Sequence, residues 1–110
     1  MVEIKVATDR EGRVVSLSVE GHAGFSDEEH GGDIVCAAVS ALVGYLGVTF
    51  TEVLPGVAEL SAEDGYFFLR ARDASGSEPS FRPLLQGWLR SVRQLEENYK
   101  GWVKVEETTV

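Results

Sequence analysis

The sequence predicts an α+β fold in two layers, ordered β-β-α-β-β-α, with two helices packed on an antiparallel sheet and a short C-terminal strand to close it. Three observations carry that reading. Two early segments alternate apolar and polar residues; a long Ala/Val/Leu-rich run and a later run keep helical spacing; and Asp64-Gly65 separates two further alternating segments. The chain has 110 residues, the size of one domain, so residues 1–110 are expected to fold as a single unit. Apolar residues make up 44% and charged residues 25%, which excludes general disorder.

Val2, Ile4 and Val6 alternate with Glu3, Lys5 and Ala7. After residues 9–13 the alternation resumes, with Val15, Leu17 and Val19 expected to face inward against Ser16, Ser18 and Glu20. These are two half-buried strands forming a hairpin. Residues 21–33 hold four glycines and the run Asp27-Glu28-Glu29-His30 without periodicity, the composition of a mobile loop.

Asp33 then stands where an N-cap would accept a bond from the first-turn amides, and a helix is expected from there to about residue 54, where Pro55-Gly56 stops it. Ile34, Val35, Ala38, Val39, Leu42, Val43, Tyr45 and Leu46 surround this helix on nearly all sides. One sheet face would not cover them all, so a subunit interface is expected to cover the rest. The longest apolar stretch, residues 34–48, is 15 residues and falls short of the ~20 that cross a bilayer, so a buried helix and no membrane partner are expected.

Residues 57–63 and 66–72 read as a second hairpin across Asp64-Gly65, a dipeptide suited to a tight primed turn. Phe81, Leu84, Leu85, Trp88, Leu89, Val92, Leu95 and Tyr99 recur at helical spacing between Ser80 and Gly101, an amphipathic second helix. Trp102, Val103 and Val105 supply the short closing strand.

The net charge is −8, with 3 basic and 9 acidic residues in positions 1–55 against 7 and 9 in positions 56–110. Such a chain repels nucleic acid and anionic lipid and attracts a basic partner. The single cysteine, Cys36, excludes an intramolecular disulfide, and no basic-then-apolar leader opens the chain, so a reduced, cytoplasmic setting is expected.

Chemistry concentrates at Gly21-His22-Ala23 and at residues 32–40. With Asp33 as N-cap, Cys36 is the third helical residue, beside unpaired amides and the positive end of the helix dipole, where a thiolate is favoured. A thiol of pKa ~8.5 is about 3% ionised at pH 7 and one lowered to ~6 about 90%, roughly thirtyfold more nucleophile. His22 can add to that shift, and the same amides can hold an oxyanion. Ser40 lies one turn beyond Cys36, able to bond back to its carbonyl or reach into a site. Each residue also has a plainer role: an inert small apolar Cys36, a solvated His22, a structural cap at Asp33. His30 could join His22, Cys36 and Asp33 around zinc, but no pair has short metal-ligand spacing, so no metal or cofactor is expected.

The motif Gly21-His22-Ala23, a glycine-containing loop, and Asp33-Ile34-Val35-Cys36-Ala37-Ala38-Val39-Ser40 resembles the ribosomal-processing cysteine protease family, Prp. The resemblance implies a catalytic dyad of His22 as base and Cys36 as nucleophile, with Gly21, Asp33 and Ser40 shaping the site or holding substrate. It further implies a homodimer that removes an N-terminal extension from the twenty-seventh protein of the large ribosomal subunit, cutting after an aromatic residue. That substrate is basic, which suits a chain of charge −8. The spacing of 14 from His22 to Cys36 is slightly longer than usual in the family. Two other classes fit the same residues: a non-enzymatic acidic homodimer that binds a basic ribosomal or assembly protein, and a redox or acyl-transferring thiol.

Overall fold

The computed structural model describes residues 1–21, 32–72 and 79–110, with Gly32 and Asp33 described by their backbone alone. His22, Ala23, Asp27, Glu28, Glu29 and His30 lie outside the described residues. The elements are β1 (Val2–Thr8), β2 (Val14–Glu20), α1 (Gly32–Val48), β3 (Ala58–Glu63), β4 (Tyr66–Ala71), α2 (Phe81–Asn98) and β5 (Val103–Thr109). The strands form one sheet in the order β3-β4-β2-β1-β5.

The sheet is mixed. β1, β2, β4 and β3 pair antiparallel, but β5 runs parallel to β1 and is as long as β1, seven residues, where a short antiparallel addition was expected. The reason is where α2 delivers the chain. The Val2 amide donates to the Trp102 carbonyl at 2.8 Å, so the last strand starts beside the beginning of β1 and can only run the same way.

Val2, Ile4, Val6, Leu17, Val19, Phe67 and Leu69 point from the sheet into one core with Val35, Val39 and Leu46 of α1 and Phe81, Leu85, Trp88 and Val92 of α2. Glu3 and Lys5 face solvent on the other side, so both helices cover the same face. The two helices are also tied directly: Trp88 Nε1 donates to the Leu42 carbonyl at 2.9 Å.

In β2 the inward residues are Val14, Leu17 and Val19, not Val15. The register shifts between Ala7 and Thr8, leaving Val15 as an extra, half-buried residue in a bulge. Asp9 causes this by accepting bonds from the Glu11 and Arg13 amides at 3.0 and 2.9 Å, which shapes the turn and offsets the alternation by one. The β3–β4 turn also differs from expectation. Gly65 takes φ 76 and no described non-glycine residue has positive φ, so only the second turn position is left-handed, as in a type II rather than a primed turn.

α1 extends through a π-helical turn, Thr49–Val53, closed by the Leu54 amide on the Thr49 carbonyl at 2.7 Å, and it stops before Pro55 as expected. Phe50 on this turn meets Phe81 of α2, ring centroids 5.4 Å apart. By length and composition alone, residues 34–53 could cross a membrane, which the shorter apolar run had not suggested. Nor is the helix buried throughout. Its Val35–Val39–Leu46–Phe50 stripe packs on the sheet, while Ile34, Tyr45, Val48 and Val53 remain 53–66% exposed, because one sheet face can cover one stripe.

β5 is an edge strand, and α2 side chains bond the backbone of Val105 within it. Glu96 accepts the Val105 amide at 2.7 Å, and Arg93 donates to the Val105 carbonyl at 3.2 Å while pairing with Glu96 and Glu107. The Val105 amide, then Arg93, hold the Glu96 carboxyl below its ordinary value of 4.5. A carboxylate lowered on folding stabilises the fold above its unfolded pKa and loses that contribution as pH falls. Glu96→Gln is therefore expected to cost about 1 kcal/mol at pH 7, with the gap to the parent closing below pH 4.5, measured by urea unfolding across pH.

Candidate active site

α1 begins at Gly32, so Asp33 is its second residue rather than its cap. Acidic residues are favoured in a helix's first turn as well as at its cap, so the helix starts two residues earlier than the sequence signal placed it. Cys36 is consequently the fifth helical residue, not the third, and its own amide falls inside the i→i−4 ladder. The donors of the helix start that lack an intrahelical partner belong to residues 32–34 instead.

Gly21 ends β2 in a conformation that only glycine takes readily. Its φ is 93, and a Cβ there would lie 2.6 Å from the Met1 carbonyl oxygen, a contact with backbone that cannot swing away. Its amide donates to the Gly65 carbonyl at 2.9 Å, tying the end of β2 to the β3–β4 turn. The chain leaves the sheet toward His22 from this fixed point.

Between the middle of α1, from Cys36 to Gly44, and the β3–β4 turn lies a cleft of about 450 Å³. Cys36 and Ser40 line it from the helix and Gly21 from the end of β2, so the fold brings together three of the five residues singled out from sequence. Cys36 is half-buried and Ser40 exposed. His22 and the Asp33 side chain lie outside the described residues. The floor is apolar, made by Val2, Val19, Val39, Val43 and Phe67. Opposite the helix the rim is acidic and aromatic: Glu63, Asp64 and Tyr66.

That rim is what sequence reasoning missed. The charge count put the acidic field in the first half of the chain; among the described residues, the carboxylates lining the cleft come from the second hairpin. They arrive because β4 pairs with β2, Tyr66 opposite Glu20, which carries the turn alongside Gly21. Gly44 also lines the cleft and was passed over, although a glycine within an Ala/Val/Leu helix was a visible signal.

A half-buried thiol beside an apolar cleft of this size is an arrangement that the thiol-hydrolase class uses, a sulfur next to a hydrophobic floor. Residues 1–104 match the family model for cysteine protease Prp. The chain belongs to the Prp family of cysteine proteases. It is 28% identical over 110 residues to the ribosomal processing cysteine protease Prp of Bacillus subtilis strain 168, covering 96% of each chain. Against the protein of the same name from Staphylococcus aureus strain Mu50 it is 31% identical over 108 residues, covering 96% of this chain and 97% of that one. Among solved structures, the essential ribosomal processing protease Prp from S. aureus with a covalently linked product peptide superposes with a TM-score of 0.82 at 25% identity, covering 98% of this chain and all of that one. The same protease with a substrate peptide gives a TM-score of 0.84 at 24% identity and supports the fold. Family and fold class thus agree with the sequence reading.

Proposed function

We propose that Cys36 is the nucleophile and His22 the general base of this cysteine protease, and that it removes an N-terminal extension from a basic ribosomal protein in the cytoplasm, acting as a homodimer. One observation carries the reading. A cysteine protease needs a thiol, this chain has a single cysteine, and Cys36 lines a peptide-sized cleft together with Gly21, the residue directly before His22. Two relatives are named for ribosomal processing, and one relative was solved with a product peptide covalently linked.

In this reading Cys36 Sγ attacks the scissile carbonyl carbon and His22 takes the thiol proton. Backbone amides of residues 32–34, which have no partner within the helix, are the donors proposed for the oxyanion. The tetrahedral adduct collapses to a thioester on Cys36, and the amine leaves with the proton from His22. Water, deprotonated by His22, then hydrolyses the thioester and restores the thiol. Glu63 and Asp64 on the rim favour a basic peptide, and Gly21, Asp33 and Ser40 shape the site. The exposed apolar stripe Ile34, Tyr45, Val48 and Val53 is the face on which a second copy packs, and sedimentation tests it.

The functional test uses a synthetic peptide spanning the junction between extension and body of the host's ribosomal protein, followed by mass spectrometry. The parent protein is expected to cut it at one bond and His22→Ala to cut at least about 10²-fold more slowly. Raising salt from ~0.05 to ~0.5 M is expected to raise KM and leave kcat nearly unchanged, because screening weakens attraction between the acidic rim and a basic peptide. Salt-sensitive binding without any product would instead support the non-enzymatic acidic homodimer.

A further inference from the structure

We infer that Gly44 opens a second binding position in the cleft, one that receives a bulky apolar side chain of the peptide three to four residues from the scissile bond. The inference rests on Cys36 as nucleophile. Gly44 and Cys36 line the same cleft, separated by eight residues of α1 and so by about 12 Å along the helix axis. An extended peptide advances about 3.3 Å per residue, so a chain held at Cys36 brings its third or fourth residue past Gly44. The neighbours there, Val43 on the helix and Phe67 on the sheet, are apolar.

Among the described residues, nothing requires glycine at this position. Gly44 lies within α1, where glycine is the poorest helix former except proline, and its φ is not positive. Among the described residues, nothing outside the helix backbone lies within 4 Å of where its Cβ would stand. No close approach of a described residue explains the missing side chain, and Gly44 borders the cleft. Gly47, one turn on, is equally unencumbered but is not among the residues lining the cleft, so it serves as a control.

The test compares Gly44→Leu, Gly44→Ala and Gly47→Ala with the parent on the junction peptide and on copies carrying Ala in turn at each apolar position. Gly44→Leu is expected to lower kcat/KM for the junction peptide at least about tenfold, mostly through KM. It should lower it less than about threefold for the copy whose third or fourth residue from the scissile bond is already Ala. Gly44→Ala should fall between parent and Gly44→Leu, and Gly47→Ala should match the parent on every peptide. Iodoacetamide should alkylate Cys36 in Gly44→Leu at the parental rate. Equal losses on all peptides, no loss at all, or a loss that tracks a change in oligomeric state would overturn the assignment of Gly44. Cleavage by Cys36→Ala at the parental rate would instead overturn the nucleophile, so the two failures are distinguishable.

Discussion

Replacing Cys36 by Ala is expected to lower kcat for the junction peptide by at least about 10³-fold while leaving the fold intact. The two halves of this expectation come from different facts. A protease of this class without its thiol keeps only binding and oxyanion donors, which supply a small fraction of the intact enzyme's acceleration. For stability, Cys36 is half-buried against the edge of the core, and alanine keeps its Cβ and favours helix, so the melting temperature should move by no more than the equivalent of about 1 kcal/mol. Cys36→Ser sharpens the result. It nearly preserves size and polarity but exchanges thiol for hydroxyl, and it should be as inactive as Cys36→Ala. A packing residue would tolerate serine, and a nucleophile working at neutral pH would not.

Gly21→Ala carries the second large effect, on stability and activity together. Alanine at φ 93 costs about 1–2 kcal/mol from the backbone conformation alone. Its methyl would stand 2.6 Å from the Met1 carbonyl oxygen, so Met1 or the end of β2 must also move. Met1 directly precedes Val2, whose amide holds the start of β5 through Trp102, so that movement is felt on both sides of β1. A total loss of about 2–3 kcal/mol is expected from denaturant unfolding. Well below the melting temperature, where the variant is folded, kcat should still fall at least about tenfold, because the point from which the chain departs toward His22 has shifted. A variant that is destabilised but fully active would separate Gly21 from the site.

The alternation of Val2, Ile4 and Val6, the apolar run of α1 and the spacing from Phe81 to Leu95 made the two layers legible, since each follows from a local period. Two things were not local. The direction of β5 depends on where α2 ends relative to β1, a tertiary fact that the Val103–Val105 pattern cannot carry. The bulge at Val15 depends on Asp9 side-chain bonds that cost one residue of register, and only the turn's three-dimensional shape reveals it. The site divides in the same way. Cys36, Ser40 and Gly21 were readable because a helix start and a strand end place them, whereas Glu63, Asp64 and Gly44 reach the cleft through the β2–β4 pairing and the depth of the groove.

The most direct measurement of the account is an acid-quenched reaction of the protein with the junction peptide, digested and mapped by mass spectrometry. A transient adduct of one cleaved peptide fragment, less the elements of water, on the segment containing Cys36 and absent from Cys36→Ala is the predicted result. Turnover of the peptide with equal rates in the parent and Cys36→Ala, and no adduct at Cys36 at any quench time, would contradict it.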